Sequence, residues 1–316
     1  TPPPNPTRPT IPSPPHNRDP SAVAGPRRRT PNRRSRVRLP GIEAKEDVVQ
    51  LTGGWAFFAS DLRLRMRSLL WWSLGIVALV VLVDAFYPSI AGDPALDQMM
   101  SELPEALRPL IGPDDLTSPV GYLASQLYLF FLPTVILVFG IGRGTSAIAG
   151  EEEDHTLDLL LSGPVSRTSL YLQKVLGVVF GIAVLSIVSL VPTLVLAEPT
   201  GLDVPIDALV SVTVQMFAFL LFFSMLAMSV SASVGRKGLG IAVSAGIAFG
   251  TFLIDGLGQS IEWLEPLREL TPWRWYDATA AMKEGFLPGS LAVLAVATVI
   301  VTAVGLIVFR RRNLRA

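Results

Sequence analysis

The residues best equipped for chemistry are a run of acids ending in a histidine: Glu151, Glu152, Glu153, Asp154 and His155. Carboxylates and an imidazole within one turn could hold a metal ion, with Glu151, Asp154 and His155 as ligands. A docking surface explains the pattern better. Thr156, Leu157, Leu160 and Leu161 follow at helical spacing, and Gly163-Pro164 ends the run. Acids opening such a short helix would suit its dipole.

Other chemistries fail on composition. There is no Cys, which removes thiolate zinc sites, disulfides and cysteine nucleophiles. The only histidines are His16 and His155, neither in an apolar run, so no Ser-His pair can act within a bilayer. Asp84 and Asp255 are the carboxylates of the apolar runs. Both fall near run ends, where ionisation is expected to cost little, so a paired-carboxylate hydrolase is not supported. ATP hydrolysis by this chain would need GxxxxGK[ST], which is absent; Gly235-Arg236-Lys237-Gly238 reads as a turn. The string Gly140, Gly142, Gly144 lacks the strand–turn–helix context of a dinucleotide site. It reads as close helix packing, as do Gly177 with Gly181 and Gly246 with Gly250.

The elements that must position these residues are apolar helices. Half the residues are hydrophobic and 16% are charged, against about 25% in soluble domains, and mean hydropathy is +0.48. Six runs reach bilayer length, at 69–86, 120–150, 175–197, 208–234, 238–258 and 290–309. The fold class is therefore an all-α membrane protein with six transmembrane helices. Pro133 predicts a kink in the long second span. Before the first span, Trp55, Phe58, Leu62 and Met66 share one helical face and Arg63 and Arg67 the other, predicting an amphipathic interfacial helix.

Basic residues near the span ends set the orientation. Twelve (Arg63, Arg65, Arg67, Arg143, Arg167, Lys174, Arg236, Lys237, Arg310, Arg311, Arg312, Arg315) lie on one side and four (Arg108, Arg268, Arg274, Lys283) on the other. Both termini are thus expected in the cytoplasm of an inner or plasma membrane. Residues 1–50 form a Pro/Arg-rich segment, with twelve prolines and nine arginines in the first forty residues, expected to be a disordered tail. Its arginines suit anionic lipid; without interleaved aromatics they do not predict nucleic-acid binding. Residues 51–316 form the membrane domain. The segment Gln259–Gly289 is too apolar for a free loop and predicts short, partly re-entrant helices broken at Pro266 and Pro272.

With these elements in place, the stretch Glu151, Glu152, Glu153, Thr156, Leu157, Leu159, Leu160, Leu161, Pro164, Val165, Ser166 and Arg167 resembles the E-E/D…T-L-x-L-L-L…P-V-S-R motif of the type-2 ABC export permeases. The similarity runs from about Trp55 to the C-terminus. The long N-terminal extension and His155, where relatives carry other residues, depart from the pattern. The resemblance implies that this stretch is the coupling helix inserted into a separate ATPase, and that the helix at Trp55–Leu70 is the family's connecting helix. It further implies two ATPase subunits holding ATP and Mg, a second permease copy or relative, and no cofactor or catalysis in this chain. The acids are expected to meet basic residues on the ATPase rim, with Leu157, Leu160 and Leu161 filling an apolar cleft. The sparse polar content of the spans suits a hydrophobic or amphiphilic export substrate. A secondary transporter or a non-transport scaffold is the alternative.

Overall fold

A computed structural model describes residues 66–95, 98, 102, 117–154, 166–259 and 261–312. The interfacial-helix positions Trp55, Phe58, Leu62 and Arg63 lie outside them, as does the expected tail. Among the described residues there is no strand, and six helices are long and apolar enough to cross a membrane. They are α1 (Met66–Ser89), α2 (Pro119–Glu153), α3 (Arg167–Thr200), α4 (Ile206–Val234), α5 (Lys237–Leu257) and α9 (Pro288–Arg311). Three short helices, α6 (Glu265–Arg268), α7 (Pro272–Trp275) and α8 (Ala278–Glu284), lie between α5 and α9.

Each expected span is present, with ends displaced. Met66–Leu70 are continuous with the rest of α1. Arg67 is exposed there. The third span begins eight residues early, at Arg167, because Ser166 caps it: its hydroxyl accepts from the Ser169 amide at 3.1 Å. Within α2 the irregularity precedes Pro133. Residues Leu123–Phe131 are π-helical, and the Leu132 amide bonds the Leu127 carbonyl five residues back. Proline cannot donate, and the wider turn re-pairs backbone groups that would otherwise be orphaned in lipid. A second π-helical turn, Ser146–Gly150, precedes the acids.

The bundle is built around α4, which packs against α2, α3, α5 and α9. Its buried face carries Met216, Phe219, Leu220 and Phe223. Close approach depends on glycine at several positions, Gly240 and Gly305 among them. A Cβ on Gly144 would stand 2.3 Å from the Ser224 carbonyl oxygen, and one on Gly140 would stand 2.2 Å from Ser224 Oγ. Gly181 meets Phe139, but a Cβ on Gly142, Gly177, Gly246 or Gly250 would meet nothing within 4 Å. For those four the packing expectation fails within this chain: their faces point away from neighbouring helices. The outward faces of α1, α5 and α9 stay apolar, with Trp71, Phe249 and Val299 each more than 60% exposed, as lipid contact requires.

The segment after α5 docks on the bundle in part. Trp273, Tyr276, Ala281 and Met282 are buried, with Phe219 4.5 Å from Trp273 and 4.7 Å from Tyr276 between ring centroids. Pro266 and Pro272 sit in the first turns of α6 and α7, so they start helices rather than break them. Trp263, Leu267 and Leu270 remain exposed.

Candidate coupling site and apolar groove

Glu151, Glu152 and Glu153 are the last three residues of α2. The expectation that they open a helix is corrected here: they stand at a helix C-terminus, where the dipole disfavours anions. Cations from other spans compensate. Lys174, two turns into α3, ion-pairs with Glu151, and both side chains are largely buried. Arg312, just past α9, forks onto both oxygens of Glu152, with the Nη1–Oε2 contact at 2.9 Å. The same guanidinium donates to the Ala232 carbonyl at the end of α4, at 2.8 Å. Glu153 accepts the Lys237 amide at 2.8 Å, capping the first turn of α5, and lies 3.8 Å from the Lys237 ammonium.

Arg167 completes the arrangement by donating to the Arg312 carbonyl at 2.8 Å. One knot of charges therefore gathers the adjoining ends of α2, α3, α4, α5 and α9. Gly235, in the turn between α4 and α5, makes room for it. Its φ is +73°, and a Cβ there would lie 2.1 Å from Arg312 Nη2 and 2.7 Å from Glu152 Oε1.

Four of the expected site residues are thus brought together: Glu151, Glu152, Glu153 and Arg167. Thr156, Leu157, Leu160, Leu161 and Pro164 lie outside the described residues. Lys174, Lys237 and Arg312 were legible only as markers of sidedness. Their spacing from the acids in sequence, from 21 to 161 residues, carries no signal that they meet them. The knot also bears on the metal reading, because Lys174 places a positive charge where a cation on Glu151 would sit. Among the described residues no three metal-ligating side chains converge.

On the outer face of the bundle, α2 and α5 flank an open apolar groove of about 330 Å³, lined by Leu137, Val138, Ala245, Phe249, Phe252 and Trp273, with Val138 and Phe249 largely exposed. Trp273 also lines a second cavity of about 240 Å³ at the opposite end from the knot, with Asp255, Arg268, Arg274, Tyr276 and Asp277. Arg268 bonds Asp255 at 3.1 Å, and the Trp273 indole donates to the Ala248 carbonyl at 2.9 Å. Trp273 is therefore a wall between an apolar space and a polar one. The Tyr276 hydroxyl donates to the Tyr128 carbonyl at 2.6 Å, and burial holds it well above the ordinary tyrosine range, so it stays a donor.

No curated protein matches the chain. The family model described as ABC-2 family transporter protein matches residues 55–314, nearly the whole membrane domain. With six apolar spans, this makes the chain a multi-pass plasma-membrane permease, in a family whose members associate with an ABC ATPase. The chain belongs to the ABC-2 transporter family.

Proposed function

We propose that this chain exports an amphiphile, driven by ATP that is held with Mg in two separate ATPase subunits. The observation that carries the substrate class is the junction at Trp273. An apolar groove that takes a hydrocarbon chain opens at that wall beside a cavity with two arginines and two aspartates, which takes a charged or zwitterionic head. The charge asymmetry of the span ends supports placing the knot and both termini in the cytoplasm.

In this reading residues 155–165 dock on the ATPase with Leu157, Leu160 and Leu161 as anchors. The acids have a different role from the one their sequence suggested. Glu151 and Glu152 are engaged within the chain, so they lock α2 to its neighbours instead of meeting the ATPase rim. A push on the docked loop then moves α2 and α3 as helices, since the first ends at Glu153 and the second begins at Arg167. The functional unit is a dimer of permeases, of this chain or with a relative.

The test is ATP hydrolysis by the reconstituted complex in the presence of single-chain amphiphiles, their free head groups, or alkanes of equal length. Intact amphiphiles should stimulate hydrolysis and neither half should. Stimulation by small hydrophilic solutes alone would overturn the assignment.

A further inference from the structure

Asp84 lies in α1 one turn from its end, on the side away from the charge knot, and is wholly buried. The expectation that this carboxyl sits where ionisation costs little is therefore wrong. Neither of its oxygens has a hydrogen-bond partner among the described residues. The acids that end α2 and Asp255 of α5 each pair with a cation; Asp84 pairs with none.

The groups around it explain why it stays unpaired. From α3, the buried Thr193 hydroxyl faces it and is likewise without another partner. From α2, Tyr122 and Tyr128 lie within its field, but their hydroxyls are committed elsewhere. Tyr122 donates to the Val83 carbonyl at 2.7 Å, and Tyr128 bonds Thr213 of α4 at 3.3 Å. On its own helix, Tyr87 donates to the Thr117 carbonyl at 3.2 Å. No described Lys, Arg or His pairs with it. A bare carboxylate so enclosed would be strongly disfavoured, and one bound proton removes the charge and supplies a donor for Thr193 Oγ1.

We propose that Asp84 is a proton-binding site: it takes one proton from water as α1, α2 and α3 close around it, and returns it to water when they part. Closing then binds one proton, so between the titration of the exposed acid and that of the enclosed one each rise of one pH unit shifts the closed–open equilibrium up to about tenfold toward open. The sign follows from linkage. The closed form holds more protons than the open one, so it weakens as pH rises. This inference stands apart from the cargo reading, because it concerns the empty permease.

The test uses the full chain in nanodiscs, with melting followed over about pH 5 to 8 and the infrared band of protonated carboxyls recorded at each pH. The wild-type protein should melt lower as pH rises. Asp84→Asn, which mimics the protonated acid, should remove that dependence, raise the melting temperature at high pH and delete one protonated-carboxyl band. Thr193→Val leaves the acid in place but removes the hydroxyl that faces it and can donate to the carboxylate, and should move the titration to higher pH. Three results would overturn the proposal: an unchanged pH slope in Asp84→Asn, no band lost, or a titration in Thr193→Val identical to wild type. A rise in melting temperature with Na+ at fixed pH, lost in Asp84→Asn, would also overturn it in favour of a metal cation.

Discussion

Replacing Arg312 by methionine isolates the charge knot, because the substitution keeps an unbranched chain while removing every donor. Arg312 and Glu152 are about nine-tenths buried, at 13% and 10% exposure. Removing one member of such a pair strands the other as a buried charge, which typically costs about 3–5 kcal/mol. The bond to Ala232 goes as well. The end of α4 should open locally, and the sensor is the Gly235 amide, bonded to the Ser231 carbonyl at 2.7 Å. At 1.36 kcal/mol per tenfold, even the lower bound predicts hydrogen exchange there at least about 100-fold faster. Glu152→Leu should act alike, and the double variant Glu152→Leu/Arg312→Met should recover most of the loss, since an apolar pair in place of a buried ion pair is often neutral. Exchange at Gly235 unchanged in Arg312→Met, or a double variant as damaged as the two singles added, would refute the argument.

Three further outcomes follow from the packing. Gly144→Ala should impair folding, because its Cβ meets backbone that cannot yield, whereas Gly142→Ala should melt like wild type; equal melting of the two would contradict the close α2–α4 approach. Gly235→Ala should undo the charge knot and add roughly 1 kcal/mol or more of left-handed strain, so its exchange profile should resemble that of Arg312→Met. Tyr276→Phe removes the bond to the Tyr128 carbonyl and should destabilise by about 1–3 kcal/mol, equally from neutral to mildly alkaline pH because the hydroxyl does not titrate there; a loss that vanishes with rising pH would contradict this.

The spans were legible because a bilayer demands long apolar helices whatever their neighbours, so hydropathy and length sufficed for all six. Their ends were not, because capping is local: Ser166 starts α3 well before the apolar run begins. The acids were visible as a cluster, but their partners were not. A run of four acids beside a leucine-rich stretch looks like an outward-facing surface, and only the bundle brings Lys174, Lys237 and Arg312 to it. Gly142 shows a further limit. It shares a string with Gly140 and Gly144, yet helical rotation turns it from the α4 contact, and the string alone does not report that angle. Asp84 was misjudged for a related reason. Position along a helix gives depth but not facing, and α1 turns this carboxyl inward against α2 and α3.

The central claim is that residues 155–165 couple an ATPase to the movement of α2 and α3. The direct measurement compares wild type with Leu160→Asp, each coexpressed with the partner ATPase and reconstituted in liposomes, and reads ATP-driven amphiphile movement. Truncating or charging a buried anchor typically costs about 2 kcal/mol or more of binding. Leu160→Asp should therefore insert normally yet lose both the ATPase and ATP-driven movement. Full ATP-driven movement in a correctly inserted Leu160→Asp protein, or movement that follows an ion gradient without ATP, would contradict the account.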